Sequence, residues 1–311
     1  TGGVDITWIS LDSANTGNPI GIGSNLTFSG SGELDNGWSV GLTVAHTNAN
    51  AYSNTNVVVG IPGMGSVRID QGTTGTGIDR MDDMTPAVWE EAWGTGLSTG
   101  LDLVAGVSGA ANIEFTPEAG MMPGGMTARV AYTPSTCGGA STADKAGSGV
   151  CTGVGASGYD VTLSASDELH GIAGLSVFAG ISRSEQYQDT AAYNSDKEEE
   201  TYGFTYAMGG FTFGYQLSDE DLGRATGVTK YENTAYGITF SVNDSLSVGY
   251  NNYESEQSNT GGNVTGEAAS IQAAYTMGGA TITVAEAEMD NSQYQSGTNT
   301  EATTIKLALA F

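Results

Sequence analysis

The sequence predicts an all-β protein, a transmembrane antiparallel up-and-down β-barrel of about sixteen strands. Three observations carry that expectation. Bulky apolar residues alternate with small or polar ones in many short runs, which is the two-residue period of a strand. The connections between these runs alternate between tight glycine turns and long polar stretches. At the C-terminus, Ile305, Leu307, Leu309 and Phe311 alternate with Lys306, Ala308 and Ala310, so one strand face is apolar up to a final aromatic ring. A barrel strand that faces lipid has this pattern, and the same parity turns Lys306 to the inner face. No run approaches the roughly 18 apolar residues a membrane helix needs.

Along the chain, the outward faces read in order. Leu26, Phe28 and Leu34 alternate with Thr27, Ser29, Ser31 and Glu33, and Trp38, Val40, Leu42 and Val44 follow after the turn Asp35-Asn36-Gly37. Tyr202, Phe204, Tyr206 and Met208 lead through Gly209-Gly210 into Phe211, Phe213, Tyr215 and Leu217. Tyr236, Ile238, Phe240 and Val242 come next, then Ile271, Ala273, Tyr275 and Met277 with the turn Gly278-Gly279. Glycine at positive φ suits such two-residue turns. The opposite face carries Thr, Ser, Gly and Gln, as a wet lumen would. Long polar connections are expected at about 11–20, 47–55, 72–99, 134–157, 184–199, 219–230, 254–266 and 290–300, the run Glu198-Glu199-Glu200 being read as solvated loop charge.

The chain of 311 residues has 47 glycines, 6 prolines, and 35 acidic against 9 basic residues, for a formal charge of -26. That balance argues against nucleic acid as a partner and favours cations. Cys137 and Cys151 bracket a Gly/Ala/Ser-rich stretch, and a disulfide across a surface loop is the natural reading; two free thiols are the alternative. Thr1-Gly2-Gly3 has no secretory signature, so the mature form of an exported protein is expected, with a first strand that looks short.

Residues 72–99 form the most informative connection. Thr85 is a plausible N-cap, Pro86 a first helical residue and Gly94 a stop, which predicts a short helix with Trp89 and Trp93 on one face. Two tryptophans on one face need an apolar surface, so the connection is expected to fold inward against the wall. The strand after it is expected to begin near Leu101.

This loop, the segment Gly65-Ser66-Val67-Arg68-Ile69-Asp70 before it, the run Asn25–Gly41 and the terminal Phe311 together resemble Gram-negative general porins, the sixteen-stranded alphaproteobacterial type above all. The resemblance covers essentially the whole chain. It implies a single outer-membrane barrel over residues 1–311, integral to the cell outer membrane, with the 72–99 loop narrowing a passive pore for small hydrophilic solutes and ions. It implies a homotrimer embedded among lipid and lipopolysaccharide, with Phe311 as an assembly signal. The acids of the constriction would be Asp79, Asp82, Asp83, Glu90 and Glu91, facing the inward basic residues Arg68, Arg129 and Lys306. The dense arginine cluster usual in such walls is missing, which tilts the expected pore toward cations.

Other chemistry fits less well. Asp79, Asp82 and Asp83 are hard oxygen donors that could hold a structural calcium, but their spacing matches no EF-hand loop. Adjacent Glu90 and Glu91 do not face one another across a bond to be cleaved. No Ser/His/Asp grouping is readable, and His46 and His170 lie near strand ends, so no enzyme and no other cofactor is expected. A substrate-selective channel is the alternative within transport; a surface adhesin or S-layer-like β protein is the alternative outside it.

Overall fold

In the computed structural model, residues 1–12, 17–47, 50–72, 75–136, 156–186 and 193–310 are described, without the side chains of 50–53. Sixteen antiparallel strands follow one another around a closed barrel, each bonded to its sequence neighbours. They are β1 Gly2–Leu11, β2 Ile20–Glu33, β3 Ser39–Thr47, β4 Asn50–Ile61, β5 Gly65–Asp70, β6 Asn112–Pro117, β7 Met126–Thr133 and β8 Gly158–Ala165. Then come β9 Leu175–Ser184, β10 Lys197–Met208, β11 Phe211–Asp221, β12 Val228–Ser241, β13 Leu246–Asn259, β14 Val264–Met277, β15 Ala280–Asp290 and β16 Thr300–Ala310. One turn of helix, α1 Asp167–His170, lies between β8 and β9.

Alternation decides the pairing. At the seam between β1 and β16, Ile6 lies opposite Leu307 and Trp8 opposite Ile305, so the apolar rows of the two strands coincide. A one-residue slip would turn both rows into the lumen. The outward row is uncovered by protein: Ile22 is 73% exposed, Ile271 65% and Phe28 64%. A continuous apolar girdle of this kind belongs in lipid or against another protein surface. Within it aromatic rings meet across strands, Phe211 stacking on Phe240 at 4.3 Å. The rim of short turns uses Gly209 and Gly278 at φ +62° and +58°, as the turn reading expects.

The wall is uneven. β5 and β6 have six residues each, whereas β12, β13 and β14 have fourteen. Four expectations are corrected here. The run Glu198–Glu200 is strand, the start of β10, and so are Asp219–Asp221 and Glu254–Asn259. A strand that rises above the lipid zone can carry charge on its outer face, and polarity alone made these positions look like loop. The connection after β5 runs to residue 111, so no strand begins near Leu101. No α-helix forms at 85–94; only a 3-10 turn at Ala92–Gly94 does. The first strand, finally, is ten residues long.

The chief apolar core lies inside the barrel. Ala92 and Leu97 of the long connection are buried against Ala268, Ala287, Met289 and Ala302 of β14–β16, with Ile9, Leu11 and Leu101 at the edge.

Candidate functional site

The connection 71–111 travels along the inner wall, and inward side chains of successive strands hold its backbone. At its start Arg68 donates to Asp70 at 2.5 Å and to the Gly75 carbonyl at 3.3 Å. Gly77 N–H donates to Glu114 at 2.8 Å and Ile78 N–H to Asp160 at 3.0 Å. Met84 N–H then reaches Gln216 of β11 at 3.1 Å, and Trp89 N–H reaches Gln272 of β14 at 2.9 Å. The Glu90 carbonyl accepts from Asn251 and Gln272. Thr304 of β16 donates to the Thr95 carbonyl at 2.8 Å.

The chain then turns back along the same wall. Asp102 N–H donates to Tyr294, and the Asp102 carbonyl accepts from Tyr253 at 2.7 Å. Ala105 and Gly106 donate to Glu199, and Val107 to Asp160. Outgoing and returning limbs thus lie against β6 and β8–β16. Two inward glycines make room for the outgoing limb: a Cβ at Gly214 would come 2.4 Å from the Pro86 ring and one at Gly237 2.3 Å from the Pro86 carbonyl oxygen.

These wall bonds explain why the helix is absent. A helix over 85–94 would need the Trp89 N–H and Glu90 carbonyl for its own ladder. Asn251 and Gln272 take these groups instead, and a buried backbone group satisfied by a side chain has no need of the ladder.

The five expected acids all lie on the outgoing limb. Asp83 is exposed and Asp79, Asp82, Glu90 and Glu91 are half-buried. Asp79 accepts from the Gly75 N–H at 2.5 Å. Burial, then the neighbouring Asp83 and Asp79, push the Asp82 carboxyl up to about 8. Burial pushes Glu91 up to about 7, with Asp83 and Glu90 adding to it. Glu90 and Asp79 are also raised, chiefly by burial, although Lys306 opposes the rise at Glu90. Among the described residues, no three His, Cys, Asp or Glu side chains come together as a metal site.

The expected basic residues are dispersed. Arg68 is bound to Asp70. Lys306 lies 3.4 Å from Asp5 and 5.2 Å from the centre of the Trp89 ring. Arg129 is on β7, facing the Arg80–Glu114 region. The inner wall not lined by the connection is mostly neutral: Thr7 of β1, Asn25, Thr27 and Ser29 of β2, Thr43 of β3 and Asn56 of β4 take the inward parity. Asp5 and Glu33 are the acids among these strands' inward positions. Cys137, Cys151 and Phe311 lie outside the described residues.

Sequence reading missed Arg80, Glu114, Asp160, Glu199, Gln216, Asn251 and Gln272. Arg80 belongs to the loop and pairs with wall Glu114 at 2.6 Å, the reverse of loop acids facing wall bases. A usable signal was present: Glu114 lies between Ile113 and Phe115, and Asp160 between Tyr159 and Val161, each a lone inward acid in an apolar alternation.

A family model described as "Gram-negative porin" matches residues 1–295. No curated protein matches the chain in sequence. Among solved structures, OmpF of Salmonella typhi in complex with daunomycin is 11% identical, with TM-score 0.69, covering 99% of this chain and 97% of its own. An anion-selective porin from Comamonas acidovorans is 14% identical, with TM-score 0.69, covering 100% and 98%. OmpT of Vibrio cholerae in its trimer form is 12% identical, with TM-score 0.67, covering 100% and 98%.

Proposed function

The chain belongs to the Gram-negative porin family and is an integral outer-membrane β-barrel, and we propose that its channel passes small hydrophilic solutes and ions by passive diffusion with a preference for cations. One observation carries the preference. The outgoing limb of the 71–111 connection brings Asp79, Asp82, Asp83, Glu90 and Glu91 to one side of the lumen, while the uncovered wall of β1–β4 offers hydroxyls, amides and two acids. An ion crossing between them meets negative charge without a facing row of arginines, and the charge lining a narrow pore sets its selectivity. The connection narrows the lumen by occupying its β8–β16 side. No bond is made or broken, so the residues act only through charge, shape and hydrogen bonding.

One structural relative is described as anion-selective. At 14% identity that likeness carries the fold, and the sign of selectivity has to come from this chain's own side chains.

The protein works in this reading as a homotrimer. One structural relative is described in a trimer form. The wall gives its own support. A lipid-facing strand needs about 9–11 residues, and β5 and β6 have six. The outward positions of β1–β8 also carry no Asp, Glu, Lys or Arg among the described residues. A low, uncharged wall is better covered by another subunit than by lipid.

Reversal potential in a planar bilayer under a salt gradient tests the function. Stepwise conductance with a cation-selective sign is expected, and the double variant Glu90→Gln/Glu91→Gln should bring the potential toward zero. An anion-selective sign in the unaltered protein would overturn the reading.

A further inference from the structure

We propose that Asp160 is the positioning residue that sets the width of this channel, by tying the outgoing and returning limbs of the 71–111 connection to one point on the wall. The proposal rests on the reading that this connection narrows the pore.

Asp160 lies on β8 with its side chain inward and wholly buried. A carboxylate taken out of water is costly unless donors replace the lost solvent. Two of its donors are backbone groups of the connection, one from each limb, beside the Ser182 side chain on the neighbouring strand. Ile78 N–H, from the outgoing limb, lies 3.0 Å from Oδ2, and Val107 N–H, from the returning limb, lies 3.1 Å from the same oxygen.

The local chemistry is the same on both limbs. Each donor follows a glycine in the left-handed region, Gly77 at φ +58° and Gly106 at φ +55°. Successive N–H groups around such a residue form a concave anion seat. In each case the glycine's own N–H goes to a neighbouring wall carboxylate: Gly77 to Glu114 at 2.8 Å and Gly106 to Glu199 at 2.6 Å. The fit depends on the missing side chains, because a Cβ at Gly77 would fall 1.9 Å from Asp160 Oδ2 and one at Gly106 2.3 Å from it. Two seats made by distant parts of the chain therefore close on one carboxylate. Glu114 and Glu199 each hold one limb; Asp160 holds both, so it fixes the separation of the limbs as well as their distance from the wall.

Free edges of the connection between its anchors carry the acids of the pore. Releasing both limbs at Asp160 should let that segment move in the lumen, which changes current rather than merely lowering stability.

The test uses the full-length purified protein in planar bilayers, with folding checked by heat-modifiable mobility and by thermal unfolding. Asp160→Ala and Gly106→Ala should each raise open-channel noise several-fold and shift the single-channel conductance. Asp160→Asn keeps an acceptor oxygen and should be intermediate. Gly106→Ala leaves every wall residue in place, so it carries the comparison if Asp160→Ala fails to assemble. Wild-type current from both Asp160→Ala and Gly106→Ala, even with a lowered unfolding temperature, would overturn the positioning role. If in that case Glu90→Gln/Glu91→Gln still shifts the reversal potential, the reading of the loop as the constriction stands. If that double variant is also silent, the constriction reading falls and takes the proposal with it.

Discussion

On the proposed reading, Asp82 and Glu91 form a titratable edge of the pore. Their carboxyls are pushed up to about 8 and about 7, so they are neutral below these values and charged above them. Cation preference should therefore weaken as pH falls through about 8 and then about 7, which reversal potentials at stepped pH would measure. A pH-independent potential between 5 and 9, taken as a rough window around the ordinary and raised carboxylate values, would place these acids outside the ion path. Glu114 makes a different prediction. Its replacement by alanine leaves the Arg80 guanidinium and the Gly77 N–H without their acceptor. Stranding such donors costs about 1–3 kcal/mol, to be read from urea unfolding in lipid vesicles. Strand alternation turns Glu114 and Asp160 to the inner side and leaves the other acids in the loop. It does not separate acids that face water from acids that hold backbone, because that distinction depends on a long-range meeting of β6, β8 and β10 with one loop.

At the scale of elements, the strands were legible wherever lipid imposes a rule. Phe211 to Leu217 and Ile305 to Leu309 alternate without exception because each outward position there must be apolar. Above the lipid zone the rule lapses, and Lys197–Glu200 and Glu254–Asn259 are strands whose composition resembles loop. The long connection was the reverse case. Thr85, Pro86 and Gly94 have the signature of a helix, and the stretch from Leu101 can be read as a strand, yet wall side chains of β8, β10, β13 and β14 capture backbone groups either would use. The lipid rule is testable on β12: Ile238→Arg should destabilise by about 2–4 kcal/mol if the position is near the midplane, whereas Thr239→Arg, facing the lumen, should leave unfolding nearly unchanged and disturb conductance instead. Equal effects on unfolding would contradict the assigned faces.

The whole molecule divides into two halves by its outer surface. The outward face of β1–β8 is uncharged among the described residues. On β9–β16, above the apolar girdle, the register sets acids directly opposite acids: Glu198 with Asp221, Glu200 with Asp219, Glu254 with Glu267, Glu267 with Asp290 and Glu288 with Glu301. Arg183 and Lys230 are the outward bases there, each already within reach of acids. Facing residues in a sheet have Cβ atoms about 4.5–5.5 Å apart, and like charges there destabilise. The screening length falls from about 30 Å at 0.01 M salt to about 3 Å at 1 M, so the unfolding temperature of the detergent-solubilised protein should rise with salt. A flat response would mean these pairs are not charged together. The overall charge of -26 announced such repulsion, but only the register says which acids face one another. The backbone of the 71–111 connection carries a last consequence. Its amides at Gly77, Ile78, Ala105, Gly106 and Val107 are held by carboxylates rather than by a strand ladder. In heavy water they should take up deuterium about as slowly as the barrel itself, so that a segment with no regular structure would be counted, by the clock of isotope exchange, as part of the wall.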